Sequence, residues 1–380
     1  MIERAQFQNF KSLRDVELPA LGRLTLFVGP NASGKTSILE ALHYIAQLGQ
    51  KTPEALFKGP RDPETLWYRG AEHSDDIQIK IAGQWLSTDE QIELSISHAG
   101  ELRPGQPVEY QFTLLRHDAS DENSSTDSAL IDRPGMANLA YDLSSALFLR
   151  LNPAKLVAPS YSQQESPRVE YDGEGLATVI REMHASQPAQ FERLEEFLSN
   201  VVPAVEGVRT RRAPVWEEKT REITVDGRTF TRQDVEKVMG EEVIFDMDGA
   251  RGIPAHATSE GTILTLGLLA VLLNERRPNL LLLDDIEQAL HPQAQKRLVA
   301  VLKELLKLYP ELQIFATSHS PFLLDELDAD QIWLTNIDEG QTAVQRLNTH
   351  REFDVWRDEM SPGEFWTYVG EHWVTSQNND

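Results

Sequence analysis

Short runs of consecutive apolar residues predict four buried strands in this chain. Two of them are Leu24–Val28 and Leu280–Leu283, and the other two span 146–151 and 312–317. A stretch with apolar residues at helical spacing follows two of these runs, at 37–45 and 293–308, and a third such stretch spans 263–274. Strands that are apolar on both faces and alternate with helices are typical of α/β proteins. The pattern therefore predicts an α/β fold around a largely parallel sheet.

Other segments alternate apolar and polar residues, which predicts strands with one buried face. The alternating runs are 2–7, 13–18, 77–85, 91–97, 108–116, 205–212, 223–231 and 241–247. An Asp226-Gly227 pair favours a hairpin turn inside the 223–231 run. Helical spacing over 175–184 and 188–201 predicts a helical insertion between the two groups of strands. Residues 50–72 are expected to be irregular, and the polar run 118–127 is expected to form a surface loop.

The residues between the first buried strand and its helix fit the pattern G-x-x-x-x-G-K-[ST] without departure. They are Gly29, Pro30, Asn31, Ala32, Ser33, Gly34, Lys35 and Thr36. Such a loop directs successive backbone N–H groups and a helix N-terminus at one point, which favours a bound phosphate. Lys35 would reach the β- and γ-phosphates, and the Thr36 hydroxyl would ligate Mg²⁺. A chance glycine turn is the alternative, but the strand, loop and helix occur in the required order.

Polar residues follow the two buried strands at 280–283 and 312–317. Asp284 and Asp285 come directly after the leucine strand, and His319 comes just after the last strand. Ligands bind at the carboxyl ends of strands in open α/β sheets, so these side chains are candidates for metal and phosphate chemistry. Considered separately, the acidic pair could be ordinary turn residues, and so could the histidine. Ser259 is placed as the N-cap of the apolar helix, which by itself has no functional meaning.

Composition narrows the functional classes. The 380 residues carry a formal net charge of −24 and no cysteine, which excludes disulfides and cysteine nucleophiles. The N-terminus lacks a signal-peptide pattern, and the longest apolar stretch, 263–273, is too short to span a bilayer, so we expect a soluble cytoplasmic protein without a membrane partner. The acidic balance argues against a broad nucleic-acid surface. Arg209, Arg211 and Arg212 form the one dense basic cluster, which we interpret as a solvated strand edge rather than a DNA contact.

Taken together, these motifs resemble an ABC-type ATPase head. The matching segments are 29–36 (Walker A), 259–262 (signature), 280–285 (Walker B), 289–291 (D-loop) and His319 (H-loop). The opening 7–13, Phe-Gln-Asn-Phe-Lys-Ser-Leu, resembles the RecF, SMC and OLD-like branch. Segments 149–153, 172–176 and the Glu287-x-x-Leu290-His291-Pro292 motif resemble bacterial predicted ATPases that are often carried in phage-defence operons.

The resemblance implies a P-loop NTPase of the α/β class with a mixed sheet, an N-terminal antiparallel β-subdomain and a helical/β insertion. On this basis we predict four segments along the chain. They are lobe I at 1–158, the insertion at 159–258, lobe II at 259–347 and an aromatic-rich tail at 348–380.

The resemblance also implies a mechanism. ATP would bind along 29–37, from Gly29 to Ser37, with Mg²⁺ held by Thr36 and Asp284. Two copies would sandwich two ATP molecules, because Ser259 and Gly261 of one copy complete the γ-phosphate site of the other. The residues implied in hydrolysis or at the dimer seam are Lys35, Asp285, His319 and His291.

One residue departs from the family pattern. Asp285 stands where a glutamate usually polarises the attacking water, and its side chain is shorter by one methylene. Because a displacement of about 1 Å can cost about 10²-fold in rate, we expect slow hydrolysis. Glu287 could compensate, although its place in the D-loop disfavours this. The Q-loop residue is not assigned, and Asn152 is a weak candidate for it.

These features favour an ATP-gated dimeric switch that controls a separate effector, a nuclease or a toxin, in prokaryotic antiviral defence. The alternatives are a RecF-like ATPase that clamps duplex DNA and a scaffold that binds ATP without turnover. A transporter subunit fits poorly because of the opening motif. We find no heptad repeat for a coiled-coil arm, and fewer than forty residues follow 344, too few for a nuclease domain. The aromatic tail is expected to pack against its own domain, with partner docking as the second interpretation.

Overall fold

The computed structural model describes residues 1–48, 50–57, 63–70, 75–85, 88–98, 110–118, 143, 145–164, 166–225 and 228–376. The chain divides into two compact units. Unit 1 comprises Met1–Phe148, Pro278–Glu287 and Leu302–Asp380, and unit 2 comprises Leu149–Arg277 and Gln288–Val301. Each unit is built from separated stretches of sequence. The four consecutive segments predicted from the sequence are a division along the chain and stay a prediction.

The strands of the described residues are as follows. They are β1 (Ile2–Phe10), β2 (Leu13–Leu18), β3 (Leu24–Val28), β4 (Ile77–Trp85), β5 (Thr88–His98), β6 (Tyr110–Asp118), β7 (Leu147–Leu149), β8 (Val205–Val225), β9 (Arg228–Met247), β10 (Ala250–Pro254), β11 (Leu280–Leu283), β12 (Gln313–Ser318), β13 (Ile332–Asp338) and β14 (Gln341–Arg346).

The helices of the same residues are numbered in chain order. They are α1 (Lys35–Gln47), α2 (Pro53–Leu56), α3 (Pro153–Leu156), α4 (Leu176–Ser186), α5 (Pro188–Val201), α6 (Glu260–Leu273), α7 (Pro292–Leu308), α8 (Pro321–Leu324), α9 (Phe353–Trp356), α10 (Pro362–Val369) and α11 (Trp373–Ser376). No helix in the described part of the chain combines the length and the apolar character needed to cross a membrane.

A six-stranded mixed sheet forms the centre of unit 1, in the order β14-β13-β3-β12-β11-β7. β3 is parallel to β12 and β13, and β11 is parallel to β12, whereas β14 is antiparallel to β13. All residues of β3, β11 and β12 are buried, as their continuous apolar runs predict. The α/β P-loop NTPase fold class is therefore confirmed.

A second sheet in unit 1 is antiparallel and has the order β2-β1-β4-β5-β6. Its burial alternates along β1, where Phe7 and Phe10 are buried and Arg4 points outward. Phe7 pairs with Val16 on β2 and with Ile79 on β4, so apolar side chains from three strands share one face. This sheet is the predicted N-terminal β-subdomain. The expected loop at 118–127 lies outside the described residues apart from Asp118, the last residue of β6.

Unit 2 contains helices α3 to α6 and a three-stranded sheet in the order β10-β9-β8. Every residue of α6 from Gly261 to Leu273 is buried, which is expected of a helix that is apolar on all sides. The helix begins at Glu260, three residues before the apolar run. Its first turn starts at the Ser259 cap.

β8 and β9 form one long two-stranded ribbon, paired from Gly207–Asp246 to Val225–Arg228. The expectation of three separate short strands in this region is therefore wrong. Charged residues on both strands interrupt the alternation of apolar and polar positions, which hides the continuity of the strands. The predicted Asp226-Gly227 turn lies outside the described residues.

The arginine cluster lies at the root of this ribbon and is neutralised by acids of β9. Arg209 pairs with Asp246 at 2.6 Å, Arg211 with Glu242 at 2.5 Å, and Arg212 with Glu241 at 3.7 Å. The guanidinium of Arg209 lowers the pKa of Asp246 through a hydrogen bond. The arginines form a solvated strand edge whose positive charge is balanced by the acids of β9. This balance disfavours the DNA-contact interpretation, because binding to DNA phosphates requires unbalanced positive charge.

The aromatic tail belongs to unit 1 and packs on itself and on neighbouring residues of that unit. Phe365 and Trp366 are buried, and the rings of Phe353 and Phe365 lie 5.4 Å apart. The Asp325 carboxylate holds the start of α10 by accepting hydrogen bonds from the Ser361 hydroxyl and the Gly363 N–H. The packing interpretation of the tail is therefore the one that the described residues support.

Candidate nucleotide-binding and hydrolysis site

The glycine-rich loop occupies the turn between β3 and α1 in unit 1. Ala32 and Gly34 adopt left-handed conformations, with φ of 63° and 95°, and Gly34 is the N-cap of α1. Left-handed residues in a turn before a helix direct neighbouring N–H groups toward one side, which forms an anion-binding nest. The thirteen residues of α1 follow directly, so the helix N-terminus is directed at the same place. The local backbone is thus suited to bind phosphate.

Lys35 is buried in this loop, with 5% of its surface exposed. Its Nζ donates hydrogen bonds to the carbonyls of Gly29, at 2.9 Å, and Pro30, at 2.8 Å. Burial lowers the pKa of Lys35 to about 8, and the carboxylates of Asp285, Asp284, Glu287 and Glu371 oppose that shift. Lys35 is therefore a cation at neutral pH, held beside four carboxylates.

The Thr36 hydroxyl and the Asp284 carboxylate lie next to each other. Thr36 Oγ1 donates to Asp284, 3.1 Å from Oδ1 and 3.3 Å from Oδ2. The described residues contain no cluster of three histidine or acidic side chains that could hold a metal ion by themselves. Mg²⁺ does not need one, because it usually keeps waters and takes one or two carboxylates plus substrate phosphates. One hydroxyl and one carboxylate beside a phosphate loop are donors that fit Mg²⁺.

Thr317, at the end of β12, fixes this acidic pair. Its hydroxyl donates to Asp284 Oδ1 at 2.7 Å and accepts from the Asp285 N–H at 2.8 Å. The first bond orients the side chain of Asp284, and the second holds the backbone of Asp285. Sequence reasoning missed Thr317, because a threonine within a buried strand is also a normal β-former. Its place two residues before His319 was the available signal.

Asp285 lies at the mouth of the site with a left-handed backbone, φ 53°. Aspartate tolerates this conformation better than most residues. Its Oδ1 is 3.7 Å from His319 Nε2, and 53% of the Asp285 side chain is exposed. The structure thus brings together two residues, Asp285 and His319, that the sequence only suggested were near each other.

Glu287 contacts the H-loop. Its Oε1 accepts a hydrogen bond from the His319 backbone N–H at 2.5 Å, and its buried Oε2 has no hydrogen-bond partner among the described residues. Glu287 therefore connects the segment after β11 to the segment after β12. The geometry is that of a residue that positions His319.

The signature residues lie in unit 2, at the start of α6. Ser259 Oγ accepts from the Thr262 N–H at 3.2 Å, so Ser259 is the predicted N-cap. A Cβ on Gly261 would lie 2.5 Å from the Ala289 carbonyl, so the D-loop backbone approaches the signature closely. His291 lies further along this segment, where its Nδ1 accepts from the Gln293 N–H at 3.3 Å.

Asn152 has a structural role. Its side chain caps the short helix α3 by accepting from the Ala154 N–H at 2.9 Å. It lies in unit 2, and the described contacts give it no role toward a nucleotide. Asn152 therefore stays an unsupported candidate for the Q-loop residue.

Comparisons with known proteins agree with this geometry. The family model described as "AAA domain, putative AbiEii toxin, Type IV TA system" matches residues 24–325. The chain is 46% identical over 63 residues to the OLD nuclease of Thermus scotoductus, spanning 16% of this chain and 11% of that protein. It is 23% identical over 370 residues to the DNA replication and repair protein RecF of Acinetobacter baylyi, covering 90% of this chain and 98% of that protein.

Two further likenesses are partial or structural. The chain is 31% identical over 99 residues to the DNA double-strand break repair Rad50 ATPase of Thermoplasma volcanium, 24% of this chain and 11% of that protein. It thus spans about a ninth of the length of the OLD and Rad50 relatives. The SMC head crystallised with the C-winged helix domain of ScpA superposes with a TM-score of 0.59 at 15% identity, covering 93% of this chain and 99% of that one. That likeness shows a shared fold.

Proposed function

Because this chain belongs to the AAA-domain family whose model covers residues 24–325, as an ABC-type ATPase head of the RecF, SMC and OLD type, we propose that it is an ATP-gated dimeric switch. It binds MgATP, pairs with a second copy, hydrolyses ATP slowly and controls a separate effector in prokaryotic antiviral defence. The observation that carries the nucleotide part is the convergence of Lys35, Thr36 and Asp284 at the end of β3 and β11.

In the proposed mechanism, the loop N–H groups and Lys35 hold the β- and γ-phosphates. Thr36 and Asp284 would hold Mg²⁺, which supplies neutralisation of charge on the phosphate oxygens. Asp285 accepts a proton from the attacking water, and His319 contacts the γ-phosphate. Glu287 keeps the His319 backbone in place through its hydrogen bond to the His319 N–H.

The dimer follows from where the remaining anion-binding group would act. Ser259 and the N–H groups at the start of α6 form a second helix N-terminus suited to a phosphate. In the proposed assembly, this helix terminus of one copy contacts the γ-phosphate bound on the P-loop of the other copy. C2 symmetry repeats the same contact at the second site. Nucleotide binding then stabilises the dimer, and hydrolysis releases it.

The shifted pKa of Lys35 predicts a pH dependence of nucleotide binding. Lys35 is cationic below its lowered pKa of about 8 and neutral above it, and phosphate favours the cation. MgATP affinity should therefore be constant near pH 7 and fall about tenfold by pH 9. Calorimetry in two buffers of different ionisation enthalpy should show net proton uptake on binding at pH 8.5. An affinity independent of pH from 7 to 9 would contradict this assignment.

The dimer is tested by mass in solution. Light scattering should report 42.9 kDa without nucleotide and about twice that mass with MgATP. Ser259→Arg should bind MgATP normally and stay monomeric, because the larger cation obstructs the helix N-terminus. A mass of the unaltered chain that does not change with MgATP would contradict the ATP-gated dimer. A dimer of Ser259→Arg with MgATP would contradict the proposed contact between the signature and the γ-phosphate.

The proposal that this chain controls a separate effector is based on its similarity to known proteins. The matching family is described as containing a toxin of a toxin–antitoxin system, and the OLD relative is a nuclease. For this chain we propose that the toxic or nucleolytic activity belongs to another protein. Co-purification of a co-encoded protein in the presence of MgATP, and its loss with Lys35→Ala, is the expected result.

The RecF-like DNA clamp is the second candidate, favoured by similarity to RecF over most of both chains. It requires a basic stripe and binding that weakens steeply with salt. The net charge of −24 and the paired arginines of the ribbon disfavour it. Binding of duplex DNA that weakens steeply with salt would favour the RecF-like clamp over the ATP-gated switch. An ATP-binding scaffold is the third candidate and predicts no phosphate release at all.

A further inference from the structure

The hairpin formed by β13 and β14 lies directly behind the phosphate loop, within unit 1. Two of its threonines face the loop, Thr335 on β13 and Thr342 on β14. Their side chains are buried, with 0% and 5% of each residue exposed. Neither belongs to any motif identified in the sequence, and they are 299 or more residues after the loop.

Thr335 links the loop to the end of β3. Its hydroxyl donates to the Val28 carbonyl at 3.1 Å, and it lies 2.5 Å from the Ser33 hydroxyl. A threonine hydroxyl has one proton to donate, and Thr335 donates it in the hydrogen bond to the Val28 carbonyl. Ser33 is therefore the donor in its bond to Thr335. Thr335 thus accepts from inside the loop and donates to the strand that precedes it.

The same two threonines close the space beside the two glycines of the motif. A Cβ on Gly29 would lie 2.1 Å from the Thr335 carbonyl oxygen and 2.6 Å from its hydroxyl. A Cβ on Gly34 would lie 2.1 Å from the Thr342 hydroxyl. The hairpin therefore touches the loop backbone at both ends of the motif, at a distance that only glycine permits.

Thr342 connects this contact to the turn between β1 and β2. Its N–H donates to the Ser12 carbonyl at 2.8 Å, and the two hydroxyls lie 2.8 Å apart. The loop is thus held from behind by a hairpin that is itself fixed to the N-terminal sheet.

We propose that Thr335 and Thr342 are positioning residues for the triphosphate, because they hold the phosphate loop in its binding conformation before the nucleotide arrives. A loop that is ordered in advance loses less entropy when a ligand binds, so a loss of order appears as a loss of affinity. The inference rests on the proposed binding of MgATP to this loop. Its effect is on phosphate binding, with the Thr335 hydroxyl as the main contributor.

The test compares three substitutions at two buried threonines. Thr335→Val removes the hydroxyl at nearly constant shape and should weaken MgATP binding about tenfold, the effect of one lost hydrogen bond within the site. Thr335→Ser keeps the hydroxyl and should stay within about threefold of the unaltered chain. Thr178→Val is the matched control, since Thr178 is 3% exposed and its hydroxyl lies 2.8 Å from that of Ser160 in unit 2.

Affinity by calorimetry and free energy of unfolding in urea are measured on each variant. Both valine variants should lose stability, but only Thr335→Val should lose affinity. Normal affinity in Thr335→Val, failure of Thr335→Ser to restore it, or an equal loss in Thr178→Val would overturn the inference. If Thr335→Val does not fold, Ser33→Ala removes the same bond from the loop side and should weaken MgATP equally. No binding by the unaltered chain would instead contradict the proposed function.

Discussion

Replacing Lys35 with alanine is expected to weaken MgATP binding by at least about 10²-fold, the largest loss of affinity expected from any single substitution in the site. The variant loses the cation but keeps Asp284, Asp285 and Glu287, whose carboxylates act on this position. The triphosphate would then meet uncompensated negative charge in a partly buried place. Isothermal calorimetry measures the loss directly.

Folding of this variant should be retained, because burial desolvates Lys35, and the resulting lowered pKa means that its charged form does not stabilise the folded chain. The control is Lys155→Ala, which removes an exposed lysine paired with Glu174 at 2.8 Å in unit 2. Lys155→Ala should bind MgATP as the unaltered chain does. Near-normal affinity in Lys35→Ala would show that the loop does not hold the phosphates.

Replacing Asp285 with asparagine is expected to lower phosphate release by about 10²- to 10³-fold while leaving MgATP affinity within about twofold. The amide cannot accept the proton from the attacking water, yet asparagine also tolerates the left-handed backbone at this position. The ATP-bound dimer should persist in this variant. Single-turnover phosphate release and light scattering on the same sample measure both effects.

Asp285→Glu provides the opposite test. The longer side chain restores the usual glutamate and should raise the hydrolysis rate about tenfold, in keeping with the sensitivity of such reactions to displacements of about 1 Å. Asp354→Asn, at a side chain that is 87% exposed, is the control and should change nothing. If Asp285→Asn hydrolyses ATP normally and Glu287→Gln does not, Glu287 is the acting carboxylate.

The local part of the candidate nucleotide site could be predicted from the sequence because the residues of each motif are contiguous. Gly29 to Thr36 lie between a buried strand and a helix, and Asp284 follows a leucine run, so each motif shows its own structural context. Parallel strands then bring their carboxyl ends together without further information. The fold class and the site near Lys35 both follow from that logic.

Three contributors to the same site could not be predicted, for different physical reasons. Thr317 and Thr335 lie in strands, where threonine is common for its shape, so their hydrogen bonds to the site leave no pattern in the sequence. Glu371 comes from the tail, and its influence on Lys35 depends on how that tail packs. The long ribbon was missed because consecutive charged residues in its middle, such as Glu217-Glu218-Lys219, interrupt the alternation of apolar and polar positions.

The central claim, that each ATP site is shared between two copies, is tested most directly by mixing two inactive variants. Lys35→Ala lacks a working phosphate loop, and Ser259→Arg lacks a working signature, so neither should release phosphate alone. In a mixed dimer, one site combines the intact loop of one copy with the intact signature of the other. Neither variant should form a dimer with its own copies, so the dimers in an equal mixture should all be mixed, and each has one intact site of two. The mixture should therefore recover up to about half of the normal rate per chain. No recovery, with both variants folded and able to associate, would contradict the shared site.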